Sequence, residues 1–128
     1  MAKKKILVVD DELDFLKIMS IRLEASGYEV VTASNGKEAL AIIRSGRPDA
    51  VLLDILMPDL SGLEVLKKIR KTDKKLPVFM ITAFSSDERF KVANKLSASG
   101  FIVKTGDLKD EVDSITSALD LAGKYKAR

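Results

Sequence analysis

The sequence predicts an α/β fold, a parallel sheet with helices on both faces, and its alternating pattern carries that prediction. Five short apolar, β-branched runs alternate with five stretches of helical periodicity, the rhythm of a parallel sheet. Three of the runs are apolar at nearly every position, as strands covered on both sides are. A chain of 128 residues is also about the size of one domain, so a single domain over residues 1–128 is expected, its core over about 4–123.

The first strand is read at residues 5–9, KILVV. The helix after it, about 12–26, sets Leu13, Leu16, Met19 and Leu23 on one face for stacking against the sheet. The second strand follows at 28–33. Asn35 and Glu38 then have the spacing of a capping box, in which the first side chain accepts a free backbone N–H and the Glu reaches back to the cap's own N–H. Gly27 and Gly46 stand where left-handed residues close helices. The third strand is expected at 50–53, with Ser61 and Glu64 boxing the next helix. The fourth lies at 78–81, followed by the pair Ser85 and Glu88, and the fifth at 101–103. The last helix lines up Leu108, Val112, Ile115, Leu119 and Ala122. Methionines and phenylalanines are expected in the core.

Composition removes whole classes of chemistry. The chain has no Cys and no His, which excludes disulfides, thiolate and imidazole metal sites, Ser-His-Asp and Cys-His hydrolases and phosphorylation on its own histidine. Carboxylates, lysines and hydroxyls must carry any reaction. Of the net charge of +3, much is read as solvated tails, Lys3 to Lys5 at one end and Lys124, Lys126 and Arg128 at the other. No basic stripe with interleaved aromatic residues is recognised within the folded region, so nucleic-acid contact is not expected. No apolar run is long enough for a membrane span or a signal peptide, and a cytoplasmic protein is expected.

Sheets of this type bind ligands at the carboxyl ends of their strands, and the residues there form a set. Asp10 and Asp11 follow the first strand, Asp54 the third, Thr82 the fourth and Lys104 the fifth. Alone, Asp10-Asp11 reads as a strand end before a helix cap and Asp54 as a turn residue, while Thr82 and Lys104 by themselves carry no signal. Together they place three carboxylates, a hydroxyl and an ammonium at one edge. Two carboxylates about 4 Å apart repel by about 4 kcal/mol at an effective dielectric of about 20, so a divalent cation is expected among them. All-oxygen ligation suits Mg²⁺, which can neutralise charge as a phosphoryl group transfers. Asp54, expected to face open solvent, would be the nucleophile, forming an acyl phosphate.

These residues resemble the response-regulator receiver domain of two-component signalling. The motif pieces are Val8-Val9-Asp10-Asp11-Glu12, the run 54–62 (DILMPDLSG), Thr82-Ala83 and Lys104, and the likeness covers residues 4–123. The resemblance implies a flavodoxin-like, doubly wound sheet of five parallel strands in the order 2-1-3-4-5 with five helices. It implies that Asp11, Asp54 and the Leu56 backbone carbonyl ligate Mg²⁺ and that Asp10 acts mostly through coordinated water. Asp54 would accept a phosphoryl group from the phosphohistidine of a sensor histidine kinase or a phosphotransfer protein. Thr82 and Phe101 would form the switch, turning the face of the fourth helix, fifth strand and fifth helix toward a downstream protein target or output domain. The chain would catalyse only its own phosphorylation and dephosphorylation, and so would not be an enzyme in the usual sense.

Three departures from the family pattern bear on rate. Thr105 stands where the family usually has Pro after the Lys, so that turn is expected to be trans and Lys104 less firmly aimed. Leu56 and Phe84 occupy the positions that tune phosphoryl lifetime, and being apolar they are expected to shield the acyl phosphate. Phe101 lacks a tyrosine hydroxyl. Two other readings compete: a phosphorylation-independent docking receiver, and an Asp-nucleophile phosphohydrolase, which would carry a second Asp where this chain has Leu56. The sequence is expected to be either a stand-alone receiver or part of a longer regulator.

Overall fold

The computed structural model describes residues 3–83 and 86–126, with side chains up to residue 122. Strands and helices alternate strictly: β1 (Lys5–Val9), α1 (Leu13–Ala25), β2 (Glu29–Ala33), α2 (Gly36–Gly46), β3 (Ala50–Asp54), α3 (Gly62–Thr72), β4 (Val78–Thr82), α4 (Asp87–Lys95), β5 (Gly100–Val103) and α5 (Leu108–Lys126). All neighbouring strand pairs are parallel and the order is β2-β1-β3-β4-β5, the flavodoxin-like arrangement expected.

Strand side chains alternate between the two faces, and two cores result. Leu7, Val9, Val51, Leu53, Val78 and Met80 meet Ala39, Val65, Leu66, Ile69 and Ala93 of α2, α3 and α4. Ile6, Val8, Ala50, Leu52, Phe79 and Ile81 meet Leu16, Met19, Leu23, Ile115 and Leu119 of α1 and α5. Every residue of β3 and β4 is buried, as their apolar runs required.

The local readings need several corrections. Asn35 caps α2 by accepting the Glu38 N–H, but Glu38 reaches back to the Ser34 N–H at 3.2 Å rather than to Asn35. Ser61 caps α3 through the Leu63 N–H, and no return bond from Glu64 is seen. The cap of α4 is Ser86, accepting from Arg89 N–H at 3.1 Å, and Ser85 lies outside the described residues. Gly27 is left-handed at φ 96°, whereas Gly46 is the last residue of α2 and the left-handed position is Arg47 at φ 43°. Leu13, the first residue of α1, is 70% exposed and Phe90 of α4 53% exposed, so neither belongs to the buried core. Lys5 is no tail residue: it begins β1, with Nζ 3.3 Å from the Gly46 carbonyl. Lys124, Lys126 and Arg128 lie outside the described side chains.

Candidate functional site

Period-two alternation continues past the strand ends. Asp10 extends the series Ile6, Val8; Asp54 extends Ala50, Leu52; Lys104 extends Ile102; all three series belong to the α1/α5 face. The register then levels them, since Val9 pairs with Leu53, and Thr82 with Val103, the residue before Lys104. Thr82, the last residue of β4, is fully buried, and its carbonyl accepts the Lys104 N–H at 2.8 Å.

The carboxylate oxygens of Asp10, Asp11 and Asp54 lie within 4.8 Å of one another. Asp10 is wholly buried and Asp11 exposed. Asp54 is recessed, 5% exposed, and not open to solvent as the sequence suggested, being the last residue of the wholly buried β3. Its surroundings are polar nonetheless: the acidic pair stands beside it and the Leu56 N–H donates to it. Asp10 Oδ1 accepts the Glu12 N–H at 2.9 Å, and Asp10 Oδ2 accepts from Lys104 Nζ at 2.6 Å. Asp10 thus serves the start of α1 as well as the cluster.

The electrostatics show a negative cluster with too little compensation. Burial, followed by the charge of Asp10, pushes the Asp54 carboxyl up to about 7, against the pull of Lys104. Asp10 is raised as well, burial outweighing its bonds to Lys104 and the Glu12 N–H. Burial draws the Lys104 ammonium down, but bonds to Asp10 and Glu12 outweigh it and hold Lys104 above the usual lysine range. A divalent cation fits this set. Oxygens held at about 2.0–2.1 Å by one Mg²⁺ lie at most about 4.2 Å apart, so one oxygen from each of the three carboxylates, within 4.8 Å of one another, needs only a small adjustment to meet a common ion.

The loop that carries Leu56 is pinned at both ends. Ile55 donates its N–H to Ile81 O at 3.2 Å, and Gly62 donates to Ile55 O at 2.8 Å. A side-chain carbon on Gly62 would collide with the Asp54 carbonyl, so only glycine lets α3 start this close to the Asp54 backbone. Asp59 accepts the N–H groups of Gly36 at 2.9 Å and Lys37 at 3.0 Å, tying the loop to the start of α2. The Gly36 bond first among these holds the Asp59 carboxyl below the usual range.

Of the remaining candidates, Leu56 is 43% exposed, while Phe84 lies outside the described residues. Phe101 is half-buried and meets the Phe90 ring edge to face, centroids 5.6 Å apart. No peptide bond among the described residues is cis, so the turn at Thr105 is trans as expected. Lys104 is nonetheless firmly held, paired with Asp10 and Glu12 and seated 4.2 Å from the Phe15 ring centroid. The sequence assigns no role of their own to Glu12 and Asp59, which fall within the motif pieces, and places Phe15 only in the core; nothing in the loop's sequence pairs Asp59 with α2.

A family model, that of the response regulator receiver domain, matches residues 6–116. The chain is 41% identical over 117 residues to a probable transcriptional regulator, ycf27, of Cyanophora paradoxa, covering 91% of this chain and 48% of that protein. It is 46% identical over 87 residues to the alkaline phosphatase synthesis transcriptional regulatory protein PhoP of Bacillus subtilis, covering 68% of this chain and 35% of that one. The chain therefore spans half or less of these relatives. They are named as regulators rather than phosphohydrolases, and as transcriptional regulators they leave the expected absence of nucleic-acid contact without support. Among solved structures, a CheY-like receiver domain protein of Methanospirillum hungatei superposes with a TM-score of 0.86 at 32% identity, over 96% of this chain and 98% of that one. The response regulator TrrA of Thermotoga maritima, in complex with Mg(2+)-BeF, superposes with a TM-score of 0.79 at 37% identity, over 90% of this chain and 98% of that one.

Proposed function

Since the chain belongs to the response regulator receiver domain family, we propose that it is a phospho-accepting switch, with Asp54 the acceptor and Mg²⁺ the cofactor. The observation that carries this reading is the gathering of Asp10, Asp11 and Asp54 oxygens within 4.8 Å at the end of strands whose other polar residues are Thr82 and Lys104.

Asp11, Asp54 and the Leu56 carbonyl would hold the ion, with Asp10 reaching it through water. When bound, Mg²⁺ supplies positive charge that favours the ionised Asp54 and offsets the charge of the arriving phosphoryl group. Asp54 presents a carboxylate oxygen to phosphorus, and the bond from phosphorus to the donor's nitrogen or oxygen breaks with departure of the donor. Lys104 pairs with a phosphoryl oxygen and the Thr82 hydroxyl donates to another. Their movement draws in the segment after β4 and is felt at Phe101. From there it reaches Phe90 on α4, so the readout is the α4-β5-α5 face.

The donor is the phosphohistidine of a sensor kinase or phosphotransfer protein in the cytoplasm, and the receiver of the signal is an output domain or a separate protein. The chain catalyses only its own phosphorylation and dephosphorylation. Incubation with Mg²⁺ and a small-molecule phosphodonor tests this by intact mass. Wild type gains about 80 daltons, one phosphoryl group, and Asp54→Asn gains nothing; an equal adduct on both refutes the assignment.

A further inference from the structure

Lys104 leaves the end of β5 on a well-defined backbone. Its N–H is bonded to Thr82 O at 2.8 Å. The turn beyond is closed by the Asp107 N–H donating to Thr105 Oγ1 at 3.1 Å and by the Gly106 N–H donating to the buried Glu111 carboxylate at 3.1 Å. None of this fixes the side chain. A lysine side chain gives up about 2 kcal/mol of rotamer freedom when held in one place, so something must hold it.

Three groups at the start of α1 do so. The ammonium lies 2.6 Å from Asp10 Oδ2, 3.0 Å from Glu12 Oε1 and 4.2 Å from the Phe15 ring centroid. Only the first belongs to the acidic cluster. Glu12, its side chain 65% exposed, precedes α1, and half-buried Phe15 lies in its first turn. A lysine serving solely as counter-ion to the cluster would need neither. On the reading proposed above, a cation shares the Asp10 carboxylate and weakens its hold on Lys104. An ammonium held by Asp10 alone would then be free to swing into water. Glu12 supplies a second carboxylate outside the cluster, and the Phe15 face supplies an attraction that no cation in the cluster can displace.

We propose that Glu12 and Phe15 are positioning residues for Lys104, keeping its ammonium beside Asp54 when a bound cation draws Asp10 away from it. This rests on the proposed function for its purpose but not for its contact. A ring face under a cation attracts it by about 0.5–2 kcal/mol, and an exposed carboxylate adds up to about 1 kcal/mol. Both act on Lys104 without touching the phosphoryl group.

The test uses the full chain with Mg²⁺ present. Phe15→Leu keeps an apolar side chain but removes the ring face, Phe15→Tyr restores the face, and Glu12→Gln removes the charge. In ¹³C-lysine spectra, the Lys104 ε-methylene protons, identified by their loss in Lys104→Arg, resonate upfield of the other lysines in wild type and Phe15→Tyr. They move to the ordinary lysine position in Phe15→Leu. Phosphoryl uptake at saturating Mg²⁺ falls about three- to tenfold in Phe15→Leu and Glu12→Gln and recovers in Phe15→Tyr. Should Phe15→Leu unfold, exposed Glu12→Gln decides the uptake arm and wild type the spectrum. An ordinary Lys104 shift in Mg²⁺-loaded wild type overturns the proposal, as does unchanged uptake in the variants. A wild type that shows the upfield shift yet takes up no phosphoryl group supports the contact and overturns instead the function proposed for the site.

Discussion

At Asp54 two requirements oppose each other. A nucleophilic carboxylate must be ionised, and one 5% exposed beside Asp10 resists ionisation. On the proposed function Mg²⁺ would resolve the conflict, and phosphoryl uptake is expected to require the metal. If Asp54 is phosphorylated as proposed, apolar Leu56, 43% exposed, is expected to slow hydrolysis by shielding the acyl phosphate from water. Leu56→Asn is expected to shorten the phosphoryl half-life severalfold, followed by decay of the intact-mass adduct, with stability changed by no more than about 0.5 kcal/mol. A half-life that stays the same or lengthens would show that Leu56 shields nothing.

The elements matter through where they begin and end. The loop carrying Leu56 is held because α3 starts at Gly62 against the Asp54 carbonyl and because Asp59 bonds to the first turn of α2. Gly62→Ala should therefore act at a distance from any side-chain chemistry. It forces backbone against backbone, and we expect a loss of about 1–3 kcal/mol in urea unfolding together with weaker Mg²⁺ binding. Gly27→Ala, at φ 96° with open space around it, would cost stability alone through its left-handed backbone. If Gly62→Ala left both quantities unchanged, the close approach would not be what fixes the loop.

Across the whole molecule, the two cores stabilise a sheet whose carboxyl edge gathers negative charge. That arrangement predicts how stability varies with pH. Unfolded Asp54 loses its proton near 3.8 and folded Asp54 near 7, so between these values the native state binds more protons. Without metal, this contribution to stability is fully present below about pH 4 and is lost as pH rises through about 7; Asp10, also raised, adds in the same direction. Thermal melts in a chelator should fall across that window. Asp54→Asn should flatten the fall and at pH 8 exceed wild type by on the order of 2 kcal/mol. Mg²⁺ at about 100 times its dissociation constant should restore about 2.7 kcal/mol to wild type. A metal-free wild type that gains stability between pH 4 and 7 would contradict the crowding of the cluster.

The alternation of apolar runs with helical patterns was enough to place every strand to within a residue at either end. Strands β1, β3 and β4 are almost wholly buried, which leaves little room for polar residues, and the partly exposed β2 and β5 still stand out as short β-branched or apolar runs between helical patterns. The positions of Asp10, Asp54, Thr82 and Lys104 were legible for the same reason: each is the first polar residue at the end of an apolar run or just beyond it. Tertiary structure alone decided how those residues meet. Parallel register levels the strand ends, and the burial of all of β3 recesses Asp54 at its end. The Lys104 side chain, beyond the end of β5, reaches the start of α1, meeting Glu12 and Phe15 about ninety positions away in sequence. Local pattern records which face a residue occupies within its own element. It does not record which element will pack against that face, since that depends on the energy of the whole assembled core.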